Sequence, residues 1–282
     1  MNTCSYYTIK ENNNKHTFLN IFKKVTLLLQ KWYNIMNLEG EVMYEELKKI
    51  IEESNRIVFF GGAGVSTESN ILDFRSDQGL YKAVQTHKYP PEEILSRTFF
   101  MTHPEVFYDY YKNNMIYKQA QPNKAHEALA MLERQGKLEA VITQNIDGLH
   151  QMAGSKNVFE LHGSVHKNHC MKCGKFYNLD AVLELEGVPM CMECEGMIKP
   201  DVVLYGEPLE DAIINSAIRA VSNADTLIIG GTSLVVYPAA GLVNYFNGKY
   251  LVLINKSETE YDSSTDLVIH APIGEVLGEV VL

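Results

Sequence analysis

Four cysteines spaced C-x2-C-x17-C-x2-C, at Cys170, Cys173, Cys191 and Cys194, carry the most specific chemistry in the sequence. Two such CxxC knuckles can close a tetrahedral thiolate shell around Zn2+ with no open coordination position. A site of that kind is structural and folds a segment too small for a core of its own. Two alternatives stand beside it. His166 or His169 could replace a thiolate, and either CxxC could be a redox pair, which the presence of two motifs disfavours. Cys4 stands alone.

A second concentration of polar chemistry is "TQNIDGLHQMAGSKNVFELHG", residues 143–163, where Gln144, Asn145, Asp147, His150 and His162 adjoin apolar runs. His162 follows a strand-like run and precedes Gly163. A histidine of ordinary pKa, near ~6.5, accepts a proton at neutral pH. A lone histidine is more often structural, but Asn145 and Asp147 on the neighbouring strand end could hold ribose hydroxyls beside it. His150, one helical turn after Asp147, reads as a packing or capping residue. Third, "GGAGVST" (61–67) approximates G-x-G-x-x-G with Thr67 in place of the last glycine. Gly62 and Gly64 would let backbone N–H groups approach a pyrophosphate at a helix start, although a tight strand-to-helix turn with no ligand also fits. No strand-ending acid follows ~20 residues on, as the dinucleotide fingerprint requires. "LDFRS" instead puts Asp73, Phe74 and Arg75 into the same loop, so this is no ordinary dehydrogenase.

These residues need a scaffold that brings them together. "RIVFF", "LEAVIT", "VFEL", "DVVLYGE", "TLIIGG", "YLVLINKS" and "DLVIHAP" are short apolar runs, each closing in polar or turn residues. Helical patterns lie between them, among them "EELKKIIEESN" and "KAHEALAMLERQGK" with Ala125, Leu129 and Leu132 on one face. Strands spaced by helices indicate a parallel sheet covered on both faces. Ligands of such sheets sit beyond the carboxyl ends of the strands, which would bring the polar ends to one crevice. The expected fold is therefore α/β, a Rossmann-like parallel sheet with helices on both faces, plus a small zinc-binding domain and an inserted helical module. The expected domains are an N-terminal extension (1–40), the Rossmann-like part (41–76, 121–165 and 198–282), the helical insert (77–120) and the zinc ribbon (166–197).

The chain has 282 residues, 46% of them hydrophobic, enough for a real core. Its 25 Lys+Arg against 35 Asp+Glu give a formal charge of -10, which disfavours nucleic-acid binding and favours basic peptides as partners. The first 40 residues differ, with Asn12, Asn13 and Asn14 in a row and then "FLNIFKKVTLLLQKWYNIM". Lys23 and Lys24 interrupt that stretch, so it is too short for a membrane span and unlike a signal peptide, and the lack of Arg weakens a transit-peptide reading. It reads as a poorly ordered extension, an upstream start preceding Met36 or Met43, or an amphipathic helix. With no export signal the cysteines imply a reducing cytoplasm.

Taken together, "GAGVSTES" with "DFR", "TQNIDGLH", "LHGS", the paired CxxC, "KPDVVLYGE", "GTSLVVYPAAGL" and "INKS" resemble, in order, the motifs of the sirtuin family of NAD-dependent protein-lysine deacylases, in its bacterial type. The resemblance covers about residues 45–280. It implies that an acyl-lysine oxygen attacks the nicotinamide-bearing ribose carbon of NAD, that nicotinamide leaves, and that the acyl group passes to ADP-ribose. It further implies His162 as general base, with Asn145, Asp147 and Gln144 positioning ribose and nicotinamide. Gly62, Ala63, Gly64, Thr67, Asp73, Phe74 and Arg75 would form the cofactor loop. Gly230, Thr232, Ser233, Asn255 and Lys256 would hold the phosphate and adenosine end. Val203, Tyr205, Gly206 and Glu207, in a run that resembles the strand pairing with the substrate backbone, would bind substrate, with Val203 and Tyr205 flanking the acyl-lysine channel. The implied partners are acetyl-lysine proteins or peptides, with no nucleic acid and no membrane, and the implied state is a monomer with a structural zinc.

"STESNILDFRS" departs from the family's S-G-I-P-D-F-R, with Asn70 for Gly and Leu72 for Pro. If Asn70 must adopt φ > 0, Asn is among the least costly replacements, and Leu72 frees the unfolded chain. A looser loop and weaker NAD affinity are expected. Family members that prefer succinyl or malonyl lysine carry a Tyr and Arg pair after this loop. Here Tyr81 and Tyr89 are followed by no Arg before Arg97, so an uncharged acyl group is expected. Mono-ADP-ribosyl transfer to protein would use the same residues, whereas a non-catalytic NAD or ADP-ribose sensor would not require His162.

Overall fold

The structure, a computed structural model, describes residues 40–72 and 88–282. The N-terminal extension up to residue 39, and Asp73, Phe74, Arg75 and Tyr81, lie outside the described residues. The chain divides into a unit ending at Glu46, in which residues 40–46 are helical, and a main unit of Leu47–Leu282.

In the main unit, residues 47–53 (α1) bury Leu47, Ile50 and Ile51, the spacing of one helical face. Lys137 donates to the carbonyls of Ile51, Glu52 and Ser54 where the helix end leaves acceptors unsatisfied. The chain then runs through β1 (Ile57–Gly61) and α2 (Ala63–Thr67). Beyond residue 88 come α3 (Pro91–Ile94), α4 (Arg97–Thr102), α5 (Pro104–Tyr110) and a π turn (Tyr111–Met115). Next are α6 (Lys124–Arg134), β2 (Leu138–Thr143), α7 (Leu149–Ala153), β3 (Val158–Glu160), β4 (Gly163–Cys170), β5 (Phe176–Asn178), α8 (Leu179–Glu184) and β6 (Ile198–Val202). The last elements are α9 (Asp211–Asn223), β7 (Thr226–Gly230), β8 (Tyr250–Ile254), β9 (Leu267–Ile269) and α10 (Ile273–Val281).

Six strands form one parallel sheet in the order β3-β2-β1-β7-β8-β9, which reverses between β1 and β7 as in doubly wound nucleotide-binding folds. Every residue of β1 and β7 is buried, as strands covered on both faces require. Alternate residues serve opposite layers. Val58, Phe60, Leu227 and Ile229 pack with α9 and the segment Ala239–Tyr245 on one side. On the other, α6 lies against β2, α7 and α10, and Phe59 meets His150. The second sheet is antiparallel, β5-β4-β6. Helices α3–α5 and the π turn pack on it through Ile94, Phe99, Phe100, Phe107, Tyr108 and Tyr111, which cluster with Val165 and Val202 of the sheet and Leu179 of α8. No helix among the described residues is long and apolar enough to cross a membrane.

The run "DVVLYGE" is strand only as far as Val202. Glu207 accepts a bond from the Leu204 N–H and donates its own N–H to the Leu204 carbonyl, and Gly206 has φ 87°, so the chain turns instead of extending. Asn70 does sit at φ 62°, the left-handed geometry that a glycine would take freely. His150 is a packing residue, buried ring to ring with His126 at 4.7 Å between centroids.

Burial pushes His126 down to about 4 and His150 well below the ordinary histidine value, so both are neutral at pH 7. The folded pKa of His126 is therefore depressed relative to about 6.5 in the unfolded chain, which takes up the proton first as pH falls. That contribution is complete above pH ~6.5 and is lost towards pH 4. In urea unfolding followed from pH 6.5 to 4, His126→Gln, which retains an acceptor for the Asn123 cap, should lose stability less steeply than wild type. In the same assay at neutral pH, Asn70→Ala should cost about 1 kcal/mol and Asn70→Gly nothing.

Candidate active site

A cavity of about 650 Å³ opens between the carboxyl ends of β1 and β2 and the second sheet. Its wall brings together Ala63, Gln144, Asn145, Asp147, His162, Val203, Tyr205, Gly206 and Glu207, all singled out in the sequence. Gly62, Gly64, Thr67, Gly230, Thr232, Ser233, Asn255 and Lys256 are not on that wall. They gather at the ends of β1, β7 and β8. There the Gly64 N–H donates to the Gly231 carbonyl at 2.8 Å, and a Cβ on Gly64 would stand 2.7 Å from the Gly231 Cα. Only glycine lets the first turn of α2 approach the end of β7 so closely. Thr67 turns its hydroxyl back onto the Gly64 carbonyl.

The loop after β2 is held from several directions. Gln144 N–H donates to the Gly61 carbonyl, and its side-chain Nε2 donates to Thr232 Oγ1 at 3.0 Å. Asn145 Nδ2 donates to the Gly62 carbonyl at 3.0 Å and to Ser66 Oγ at 2.9 Å. Ser66 in turn donates to Asp147 Oδ2 at 2.6 Å, while Asp147 Oδ1 accepts the Leu149 N–H at 2.9 Å. Nδ1 of His162 lies 2.9 Å from the Gln144 carbonyl, which can only accept, so Nδ1 carries the proton and Nε2 the lone pair. That tautomer makes Nε2 the basic atom.

The segment 203–207 is bound on both flanks. Val203 N–H donates to the His162 carbonyl, Tyr205 N–H to the Leu95 carbonyl, and Arg97 N–H to the Tyr205 carbonyl. Burial pushes the Glu207 carboxyl up, but bonds from Leu204 N–H, Arg97 and Lys199 outweigh it and hold the group below the usual carboxylate range. The ion pairs are 2.8 Å to Arg97 and 3.0 Å to Lys199.

Several other wall residues, or the parts they play, depend on contacts that the sequence does not show. Ser66, within the turn of residues 62–66 that the strand-end pattern brings to the crevice, is on the wall, and its hydroxyl joins Asn145 to Asp147, a role its position in "GVST" does not reveal. Ile71, Leu95, Met115, Ile116 and Tyr117 supply much of the apolar lining, beside Leu72, noted above as a departure from the family motif.

At the far end of β4 the four cysteine Sγ atoms all lie within 4.8 Å of one another, and none is in a disulfide. Cys170 and Cys194 are 3.4 Å apart, Cys173 and Cys191 3.7 Å. Thiolates about 2.3 Å from zinc define a tetrahedron with edges of roughly 3.8 Å, so the set fits the ion. Backbone N–H groups of Lys172 and Cys173 point at Cys170 Sγ, and the Tyr177 hydroxyl, donating to Cys191 Sγ, brings that thiol down to about 6. His169 pairs with Asp201 and His166 with the Asp147 carbonyl, so neither is a ligand. Purified protein should carry a zinc ion per chain by elemental analysis. Cys191→Ser should lose it and melt at a lower temperature.

Residues 62–238 match the model of the Sir2 family. Over 237 residues the chain is 62% identical to an NAD-dependent protein deacetylase of Clostridium acetobutylicum, a match covering 84% of this chain and 97% of that protein. It is 46% identical over 226 residues to one of Staphylococcus aureus, covering 80% and 93%. Among solved structures, a Sir2 homolog in complex with NAD superposes with a TM-score of 0.76 at 40% identity, covering 84% of this chain and 92% of that one. A Sir2 variant with a deacetylated peptide and 3'-O-acetyl ADP-ribose gives 0.76 at 42% identity, covering 84% and 96%. The doubly wound sheet, the cavity at its strand ends and the four-cysteine knuckle are thus those of a relative by descent, and the chain belongs to the Sir2 family.

Proposed function

We propose that this chain is an NAD-dependent protein-lysine deacetylase, which transfers the acyl group of an acetyl-lysine protein or peptide to ADP-ribose with release of nicotinamide. The observation that carries this reading is the fixed tautomer of His162, whose Nε2 is the basic atom in a cavity shared by Asn145, Asp147 and the 203–207 segment. Bound NAD supplies an electrophilic ribose carbon and a leaving group. His162 takes the proton from a ribose hydroxyl, and the Gln144 carbonyl stabilises the imidazolium so formed. Asn145, with both amide hydrogens engaged, presents Oδ1 as acceptor for a ribose hydroxyl. Asp147, each oxygen fixed by one donor, keeps acceptor capacity for the nicotinamide carboxamide. Gly62, Ala63, Gly64 and the ends of β7 and β8 take the phosphate and adenosine portion. Val203, Tyr205, Gly206 and Glu207 receive the substrate chain. Four reduced cysteines around zinc fit a cytoplasmic protein.

An uncharged acyl group suits the site. Arg97, the first arginine after Tyr81 and Tyr89, is tied to Glu207 and stands outside the cavity wall, so it does not answer an acyl carboxylate. The test is an acetyl-lysine peptide with and without NAD, using NAD labelled in its adenosine. Wild type should deacetylate only with NAD and release the label as acetyl-ADP-ribose. His162→Ala should be slower by about 10²–10⁴-fold. Label retained on protein would indicate ADP-ribosyl transfer, and deacetylation without NAD would refute the assignment.

A further inference from the structure

Strand β4 breaks register beside the cavity. Ser164 pairs with Asp201, yet Asn168 pairs with the adjacent Pro200, so residues 165–167 have no counterpart on β6. Extra residues of this kind bend a strand and re-aim its side chains, and they concentrate beside functional sites. On the other edge Lys167 stays in register with Asn178 of β5. The two residues left over turn to the loop after β2: Val165 N–H donates to the Ile146 carbonyl at 3.0 Å, and His166 reaches the Asp147 carbonyl with Nε2 at 2.9 Å. A carbonyl only accepts, so Nε2 of His166 carries the hydrogen.

The ring also fits the shape of that loop. Gly148 has φ 75°, and a Cβ there would stand 2.8 Å from both Cδ2 and Nε2 of His166. The imidazole edge therefore occupies the face that a side chain at 148 would fill. The Asp147 carboxylate is fixed by Ser66 and Leu149, while His166 fixes its main chain from the opposite sheet. Asp147 is thereby anchored at both of its ends.

We propose that His166 is a positioning residue for the nicotinamide subsite: the β4 bulge presents its Nε2–H to the Asp147 carbonyl and holds the Asp147–Gly148 turn in the geometry that receives the carboxamide. This rests on the role proposed above for Asp147. His166 moves no proton in the reaction, because it donates through Nε2 whether the ring is neutral or charged. Glutamine offers an amide Nε2 at the same reach along the side chain, so it should replace the donor, whereas alanine removes it.

Three enzymes decide the question: wild type, His166→Ala and His166→Gln, each purified with its zinc. His166→Ala should raise KM for NAD and the nicotinamide concentration that half-inhibits by about three- to tenfold, the worth of one neutral hydrogen bond. KM for the acetyl-peptide should stay at its wild-type value, the melting temperature should fall by no more than about 2–4 °C, and His166→Gln should recover most of the loss. Backbone hydrogen exchange gives a readout that needs no turnover. Amides of residues 147–149 should exchange faster in His166→Ala than in wild type, while those of β1 and β7 stay slow. If wild type proves inactive, the deacetylase reading falls, and the exchange comparison still decides whether His166 holds the turn. Unchanged exchange at 147–149, NAD and nicotinamide values within twofold of wild type, or an equal rise in peptide KM would each overturn the proposal.

Discussion

The hydroxyl of Ser66 is the hinge on which the site's geometry turns. It accepts a hydrogen bond from Asn145 and donates one to Asp147, so a single oxygen on α2 sets the spacing between the two polar residues of the loop after β2. Ser66 is buried, where a polar group left without a partner costs about 1–3 kcal/mol. The arrangement therefore tolerates no partial version: helix start, loop and carboxylate come into place together or not at all. Placement of α2 depends in turn on Gly64 lying against Gly231, at the point where strand order reverses.

Much of this was legible in the sequence because it is local. Runs such as "RIVFF" and "TLIIGG" could only be strands buried on both faces, and the polar residues that close "LEAVIT" and "VFEL" had to lie at the carboxyl end of the same sheet. The four cysteines are legible for the same reason, since a knuckle is a short-range object. Asn70 is a subtler case, where a residue tolerant of left-handed geometry stands where the resemblance expects glycine, and the backbone takes that geometry.

What escaped depends on distant partners. Nothing in "VVLYGE" shows that Tyr205 will pair with Leu95 and Arg97, or that Glu207 will fold back onto Leu204 and end the strand at Val202. The bulge in β4 is equally silent, because "GSVHKNHC" holds no glycine or proline after its first residue to mark a break in register. His166 and His169 then sort by geometry alone: one faces the loop after β2, the other Asp201. Charge follows the same logic. Arg97, distant in sequence from Glu207 and Lys199, joins them in a network that stiffens the wall.

That wall has a consequence for how such a molecule can diversify. Tyr205 hangs on residues 95–97, within the helical layer that packs on the small sheet, while the residues about Gly64 and Gly231 belong to the large one. The two flanks of the cavity thus hang from different layers, one from the helices about Phe99 and the other from the parallel sheet. The helices around Phe99 and Phe107 also pack on Ile146, between Asn145 and Asp147, so a change there is felt on both flanks of the cavity. The outer jaw can therefore vary only in ways that keep the Ile146 contact, which ties its packing to the position of the inner one.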